Sequence, residues 1–337
     1  MQTLYQKNCL RLFNFNHKEI QYLIKLSKFF KQMKNCKSEK KYLKGKNIVL
    51  IFEKPSTRTR CSFEIAAHDQ GAKTTYLGPN DTHLGYKESV HDSAAVLGKI
   101  YNGILYRGFC QKILENLQKY SNIPVWNGLT DIFHPTQILS DLFTMSEIHP
   151  NTPLNKIKCA YVGDAQNNIA NSLLEAAFIL NLKLNIVAPK SCWPKKNIIF
   201  TRTEKLNTKK NILYTDDIKK GIKNVDFIYT DVWISMGEKK IEWKKKIKEL
   251  FPYQVNKTML EMTNNPNVKV LHCLPALHDK KSTIGLKIHN QFNLKNGLEI
   301  TDDIFYSNKS IILQQSENKM HTLKALLVSC LSKKKFF

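Results

Sequence analysis

The stretch Asn47-Ile48-Val49-Leu50-Ile51-Phe52-Glu53-Lys54-Pro55-Ser56-Thr57-Arg58-Thr59-Arg60 decides the fold class. Its opening run is short, rich in β-branched residues and apolar on both faces, the pattern of a buried parallel strand. Pro55 and Ser56 break the run, and the hydroxyls that follow suit a helix N-cap. A helix is expected from Cys61 to Gln70, stopping at Gly71. Strand, tight loop and helix N-terminus therefore follow one another. A helix N-terminus carries partial positive charge and free N–H groups, so it can hold a phosphate or similar anion. Arginine usage sharpens this. Of 52 Lys and Arg residues only Arg11, Arg58, Arg60, Arg107 and Arg202 are arginine. A chain that uses lysine nearly everywhere has Arg twice within three residues here. A guanidinium fork binds phosphate through two bonds, which an ammonium cannot do. An anion site is the expectation.

Working outward, 337 residues suggest two domains at about 150 residues each. With 42% apolar and 24% charged residues the chain is of globular type, with length for two cores. No run approaches the about 20 apolar residues that a membrane helix needs, and Met1–Lys7 lacks the apolar segment of a signal peptide. The 8 Cys stand singly without a C-x-x-C pair, which fits a reduced cytoplasm better than a disulfide scaffold or zinc ribbon. The formal charge of +24 raises nucleic acid as a partner. The lysines, however, are spread along the whole chain among many Asn and Ile, not gathered into a stripe. A solvated lysine-rich surface is expected, and nucleic acid is not. A small anionic substrate would still gain from the field.

Residues 16–34 read as a first helix, with Asn16 and Glu19 as a capping box and an apolar stripe from Ile20 to Phe30. Lys73–Leu77 is a strand, followed by a long polar loop, Gly78–Ser89, that contains His83 and is more often functional than structural. A helix from Val90 to Leu97 leads to a strand, Gly103–Arg107. A helix from Gln111 to Tyr120 and a strand around Val125 precede His134-Pro135-Thr136-Gln137, where Pro135 fits a first helical turn. Composition shifts near Asn151-Thr152-Pro153, which divides the chain into domains 1–150 and 151–315. Beyond it come the strand Cys159–Val162, a turn at Asn167-Asn168, a helix to Asn181 and the strand Leu184–Val187. Polar connections and a short helix span 190–225. Asp226–Thr230 and Val268–Leu271 are strands, ending in Asp231-Val232-Trp233-Ile234-Ser235-Met236-Gly237 and His272-Cys273-Leu274-Pro275. The last helix spans 316–331.

The Ser56 loop, Arg107, His134–Gln137, Asn167-Asn168, Asp231–Met236 and Cys273-Leu274 each follow an expected strand. Ligands of doubly wound α/β sheets bind outside the carboxyl ends of strands. The fold class expected is thus α/β, two doubly wound parallel-sheet domains with the active site in the cleft between them. No G-x-G-x-x-G follows a strand and no G-x-x-x-x-G-K-[ST] occurs, so dinucleotide and nucleoside triphosphate binding lack their usual support.

Ser56-Thr57-Arg58-Thr59-Arg60, His134-Pro135-Thr136-Gln137, Asp231-Val232-Trp233-Ile234-Ser235-Met236-Gly237-Glu238 and His272-Cys273-Leu274-Pro275 resemble the signature segments of the ornithine carbamoyltransferases, of the aspartate/ornithine carbamoyltransferase superfamily. The resemblance runs from about residue 5 to the last helix. The first two motifs are general to carbamoyltransferases, and the last two resemble the ornithine branch. It implies a carbamoyl-phosphate domain completed by the C-terminal helix 316–337, an ornithine domain, and a homotrimer or multiple of trimers with shared sites. It also implies a cytoplasmic enzyme of arginine biosynthesis with no cofactor and no metal. By that match Ser56, Thr57, Arg58 and Thr59 would hold phosphate, with Pro135 and Thr136 lining the same site. Arg107, His134 and Gln137 would hold the carbamoyl group, Arg107 and His134 polarising its oxygen. Asn168, Asp231, Ser235 and Met236 would hold the amino-acid end of ornithine, and Cys273 and Leu274 would lie near the reacting amine and carbamoyl group, with Asp231 and Cys273 the candidates for orienting or deprotonating that amine. Arg107, His134, Asp231 and Cys273 are the catalytic candidates.

Two residues depart from the resemblance. His83 stands where the family usually has Gln, in a loop that reaches a neighbouring subunit's site, and Lys319 stands where it has Arg. Lys319 keeps the charge without the fork, so weaker carbamoyl-phosphate binding is expected. The rival readings are a carbamoyltransferase for another amine, such as putrescine or aspartate, and a non-catalytic basic binding protein. Metal binding by His272, Cys273, His278 and Asp279 has poor spacing for a closed zinc site.

Overall fold

Residues 47–52 form the strand that the sequence implies, at the centre of the first of two parallel sheets. The computed structural model describes residues 4–81, 84–195, 211–234, 240–294 and 296–337. The chain divides into two compact units, Met1–Ile148 with Ser316–Phe337, and His149–Gln315. None of the helices among the described residues is long and apolar enough to cross a membrane.

In the first unit β1 (Asn47–Phe52), β2 (Lys73–Leu77), β3 (Gly103–Arg107) and β4 (Val125–Leu129) lie in the order β2-β1-β3-β4, all parallel. Ile48–Phe52 are all buried, which is why the strand reads as a continuous apolar run. Val49, Ile51, Ile104, Tyr106 and Val125 pack with Ala94, Leu114 and Leu117 of the crossover helices. Each Val, Ile or Leu among them contributes about 1.5–3 kcal/mol by leaving water. The outer edge of β4 is covered by the N-terminal segment, where the Cys9 N–H donates to the Val125 carbonyl and the Asn127 N–H to the Cys9 carbonyl. An open strand edge is thereby closed.

The helices of this unit are α1 (His17–Asn35), α2 (Thr57–Asp69), α3 (Val90–Ile100), α4 (Gln111–Ser121) and α5 (Pro135–Ile148). The Asn16–Glu19 capping box is formed as the sequence implies. The helix expected from Cys61 begins a full turn earlier, at Thr57, because the Ser56 hydroxyl accepts the Thr59 N–H at 3.3 Å and caps it there. This change places Arg58 and Thr59 on the helix's first turn, where backbone N–H groups lack intrahelical partners.

The second unit has the strands β5 (Lys158–Val162), β6 (Lys183–Val187), β7 (Ile212–Thr215), β8 (Phe227–Thr230) and β9 (Lys269–His272) in the parallel order β7-β6-β5-β8-β9. β7 falls within the stretch read as polar connections. It is four residues long, mostly half-exposed, at the sheet edge and followed by Asp216 and Asp217, so its apolar signal is weak. Among the described residues the helices of this unit are α6 (Asn168–Leu180), α7 (Ile218–Ile222), α8 (Lys240–Leu250), α9 (Lys257–Met262), α10 (Thr283–Phe292) and α11 (Asp302–Phe305). The last helix, α12 (Ile312–Leu331), starts one turn before the expected 316. Leu313 in that extra turn is 73% exposed while Ile312 and Gln315 are buried, so the turn lacks the apolar stripe that marks the rest.

Candidate active site

In each sheet the chain moves outward from its first strand and then returns to the other side, so a topological switch point lies between β1 and β3 and another between β5 and β8. Ligands of open α/β sheets bind at such points, beyond the carboxyl ends of the strands. The candidate residues stand there in both units.

In the first unit Thr59 is the hub. It is 2% exposed, and its Oγ1 receives the Lys319 ammonium at 3.0 Å and the Arg107 Nη1 at 3.5 Å. Arg107 is aimed by an irregularity in the ladder. Tyr106 pairs with Asn127 but Arg107 with Leu129, so Gly128 is an extra residue in β4, and its carbonyl accepts Arg107 Nη1 at 3.3 Å. Bulges of this kind re-aim side chains beside functional sites. Lys319 comes from α12, is 5% exposed, and donates also to Gln137 Oε1 at 3.0 Å and to His134 Nε2 at 3.5 Å.

His134 is buried just before α5. Burial first, then the charges of Lys319, Arg107 and Arg58, hold its imidazole well below the ordinary histidine range, so the ring is neutral. Its tautomer follows from its neighbours. The Lys319 ammonium can only donate, so Nε2 accepts. Thr136 Oγ1 donates to the Asn127 carbonyl at 3.0 Å, so its oxygen can accept from Nδ1–H at 3.4 Å. In this arrangement polarisation of a carbonyl oxygen by Nε2 would first require the proton to move across the ring. Three cations converging on a buried neutral ring and a hydroxyl make a site complementary to an anion.

Arg60 does not share in it. Its Nε donates to Glu64 Oε1 at 3.1 Å and its guanidinium lies 3.5 Å from the centre of the Tyr76 ring. Of the two arginines that drew attention in the sequence, Arg58 alone acts on His134. Thr57 is exposed on the first turn of α2, and Pro135 and Thr136 are buried at the start of α5.

In the second unit Asp231 follows β8 and is 8% exposed. Burial raises its carboxyl above the ordinary carboxylate value, opposed by His272, the Cys273 thiol and the Val232 N–H. The Cys273 S–H donates to Asp231 Oδ1 at 2.8 Å, and Asn167 Nδ2 lies 3.5 Å from Oδ2. Asn167 caps α6, its Oδ1 accepting the Ala170 N–H at 2.9 Å, and its Nδ2 donates to the Tyr161 hydroxyl at 2.7 Å. Asn168, the residue singled out in the sequence, is the next residue and opens the helix. A half-buried carboxylate–thiol–amide group of this type can receive an ammonium and accept a proton from it.

The Cys273-Leu274 turn is held firmly. Leu274 has φ +58°, costly for a side chain of its kind by about 1–3 kcal/mol. Its N–H donates to His272 Nδ1 at 2.9 Å, His272 Nε2 faces Glu299 Oε1 at 3.3 Å, and the same oxygen accepts the Leu277 N–H at 2.6 Å. His272 is therefore a brace for the turn. The set His272, Cys273, His278 and Asp279 does not converge. Among the described residues His272 and Cys273 group with Asp231, and His278 and Asp279 with Asp302. His278 Nδ1 donates to Asp302 Oδ1 at 2.7 Å, and its ring stacks on Phe305 with centres 3.8 Å apart.

His83, Ser235 and Met236 lie outside the described residues. Asn167, Tyr161, Asp141 and Glu299 were not picked out as site residues from the sequence. Asn167 carried a signal, a capping residue at a strand–turn–helix junction. Asp141 carried only its spacing of four from Gln137.

Comparison with known proteins gives the family and the fold. A family model described as the aspartate/ornithine carbamoyltransferase carbamoyl-P binding domain matches residues 7–147, and that of the Asp/Orn binding domain matches residues 155–330. The ornithine carbamoyltransferase of Buchnera aphidicola subsp. Acyrthosiphon pisum (strain 5A) is 58% identical over 334 residues, 99% of each chain. That of Blochmanniella floridana is 54% identical, covering 98% of this chain and 96% of its own. The solved ornithine carbamoyltransferase from Pyrococcus furiosus superposes with a TM-score of 0.87 at 33% identity, over 99% of this chain and 100% of that one.

Proposed function

Since the chain belongs to the aspartate/ornithine carbamoyltransferase family and carries both of its domains, we propose that it transfers the carbamoyl group of carbamoyl phosphate to the δ-amine of L-ornithine, giving L-citrulline and phosphate. The observation that carries this reading is the Thr59 hub, where Arg107 and Lys319 meet beside neutral His134. Residues 1–150 with 316–337 would bind carbamoyl phosphate and 151–315 ornithine. The buried Asp231 carboxylate favours a cationic co-substrate and opposes the second carboxylate of aspartate.

In this reading Ser56, Thr57, Arg58 and Thr59 hold the phosphate at the N-terminus of α2. Arg107 and Lys319 donate to the carbamoyl oxygen as charge gathers on it, a term often worth about 3–4 kcal/mol per donor. Asp231, with Asn167 Nδ2 3.5 Å from it and the Cys273 thiol hydrogen-bonded to it, receives the ornithine ammonium and helps strip its proton, and Asn168 joins the ornithine side from the first turn of α6. The neutral nitrogen attacks the carbonyl carbon, a tetrahedral intermediate forms, and the C–O bond to phosphate breaks. Phosphate leaves with the bonding pair and can take the nitrogen's remaining excess proton. Holding two small molecules in contact supplies much of the rest of the acceleration. Ser235 and Met236 belong to the ornithine side and His83 to the phosphate side. The setting proposed is arginine biosynthesis in the cytoplasm, as a homotrimer or multiple of trimers.

The deciding experiment is citrulline formation from ornithine and carbamoyl phosphate, with putrescine and aspartate as competing amines. Absence of citrulline would favour a binding protein, and a faster reaction with another amine would reassign the substrate. A solution mass of three or six times the 39.0 kDa chain tests the assembly.

Two further outcomes follow from the geometry. Lys319→Arg restores a guanidinium fork and should lower the KM for carbamoyl phosphate about fivefold, the effect of roughly 1 kcal/mol of added charge-assisted bonding. An unchanged KM overturns that account. The second concerns pH. His134 has its pKa pushed down, so it is already neutral above the ordinary value near 6.5 and does not change charge there. The kcat/KM profile should therefore show no His134 limb between pH 6 and 8. A limb in that range that vanishes in His134→Asn sinks the assignment.

A further inference from the structure

Gln137 faces the anion site from the first turn of α5, and its amide has two chemically distinct ends. Lys319 Nζ lies 3.0 Å from one of them and Asp141 Oδ1 lies 2.8 Å from the other. An ammonium can only donate and a carboxylate can only accept, so both neighbours give the same assignment: oxygen toward Lys319 and NH2 toward Asp141. Gln137 is 3% exposed and Asp141 fully buried, one helical turn apart on the same face of α5. Nothing in the carbamoyl chemistry proposed above requires Asp141 to touch a substrate.

We propose that Asp141 is a positioning residue that sets donor specificity, by holding the Gln137 amide with its oxygen toward the site so that the pocket accepts an N–H-bearing acyl phosphate. This rests on the carbamoyl-phosphate reading and deepens it. When a carbamoyl group enters beside Lys319, Gln137 Oε1 offers its NH2 an acceptor, while Arg107 and Lys319 offer donors to its oxygen. The group is thereby oriented in one sense only. An acetyl group of the same shape places a methyl against Oε1, which loses a bond and gains none. Buried sites built to hydrogen-bond an N–H or O–H reject analogues lacking it far more strongly than apolar pockets reject a missing methylene. Without the Asp141 carboxylate only Lys319 holds the amide, and a turn that brings its NH2 toward the substrate's own NH2 is no longer opposed from both ends.

The test is equilibrium binding to the full-length protein, so that it does not depend on turnover. Three probes are used: carbamoyl phosphate, acetyl phosphate and inorganic phosphate. In the wild type carbamoyl phosphate should bind at least about tenfold tighter than acetyl phosphate. Equal affinities overturn the proposal without any variant being made. In Asp141→Leu, which keeps the volume closely and removes the acceptor that holds the Gln137 NH2, carbamoyl phosphate should weaken about tenfold. Acetyl phosphate and inorganic phosphate should change less than twofold. A parallel loss for all three probes means that Asp141 merely supports the fold, and no change means that it orients nothing. Either result overturns the proposal. If the wild type shows this preference but forms no citrulline, the reading of the reaction has failed and the donor specificity stands.

Discussion

Replacing Arg107 with leucine should lower kcat for carbamoyl transfer by about 10²–10³-fold, the usual cost of losing one donor aimed at a developing oxyanion. The reason lies in how the side chain is held. Arg107 ends β3 opposite the extra residue Gly128, whose carbonyl fixes Nη1 at 3.3 Å, while Thr59 Oγ1 lies 3.5 Å from the same nitrogen. The guanidinium is thus pre-set before substrate arrives, which is the condition under which a donor lowers a barrier without reorganising. Leucine leaves the strand's buried run intact, so the thermal midpoint should move little. Arg107→Lys keeps the charge but cannot hold Gly128 and a substrate oxygen in one plane, and should recover only part of the rate. The measurement is kcat and KM for both variants at saturating ornithine. A loss confined to KM would assign Arg107 to ground-state binding alone.

How much of this could be read from the chain depends on what each residue does. β1 was legible because Ile48–Phe52 are buried on both faces, and burial on both faces forces an unbroken apolar run. The Ser56 cap, the Asn16–Glu19 box and Pro135 were legible because capping is local chemistry, needing only residues three or four apart. β7 was not, since a short edge strand half in water has no such constraint. The place of Lys319 was accessible only through the resemblance. It meets Thr59 across 260 residues of chain, and no spacing rule reaches that far. Arg60 shows the reach of helix phase. It sits in the motif, yet Glu64 one turn on and Tyr76 on β2 claim it, and both contacts depend on the helix starting at Thr57. Residue type points to an anion site; which of the two arginines acts on His134 depends on helix phase.

The same long-range placement makes α12 the element on which the first unit's stability turns, and Lys324→Met should show it. Lys324 is fully buried. Its ammonium lies 2.6 Å from Glu39 and 2.8 Å from Asp69, with Lys34 at 2.6 Å on the same Asp69 oxygen and Gln70 Nε2 at 2.7 Å on Glu39. The network ties α12 to the ends of α1 and α2. Removing one partner of a buried ion pair costs about 3–5 kcal/mol when it leaves a charge uncompensated; here Lys34 stays on Asp69, and Glu39 loses the Lys324 cation. Asp69 and Glu39 retain 26% and 12% exposure, so the lower end, about 3 kcal/mol, is expected, or roughly 6–12 °C in the unfolding midpoint of this unit. A shift under 2 °C would show that water reaches both carboxylates and that the pair carries little. The pH dependence has a defined sign. Burial and the nearby Lys324, Lys31 and Lys34 push His321 down to about 3, and its Nδ1 has no hydrogen-bond partner. Its unfolded value is near 6.5, so below that pH the unfolded chain binds a proton the native ring refuses, and stability falls as pH drops from 6.5 toward 3. Asp69, held low by Lys324 and Lys34 against its burial, adds a loss of the same sign below its ordinary value of 3.8. Lys324→Met removes the larger named charge acting on His321, so its ring should protonate more readily. The variant should start less stable at pH 7 and lose less between pH 6.5 and 4 than the wild type does, which thermal unfolding at three pH values in that range will read directly.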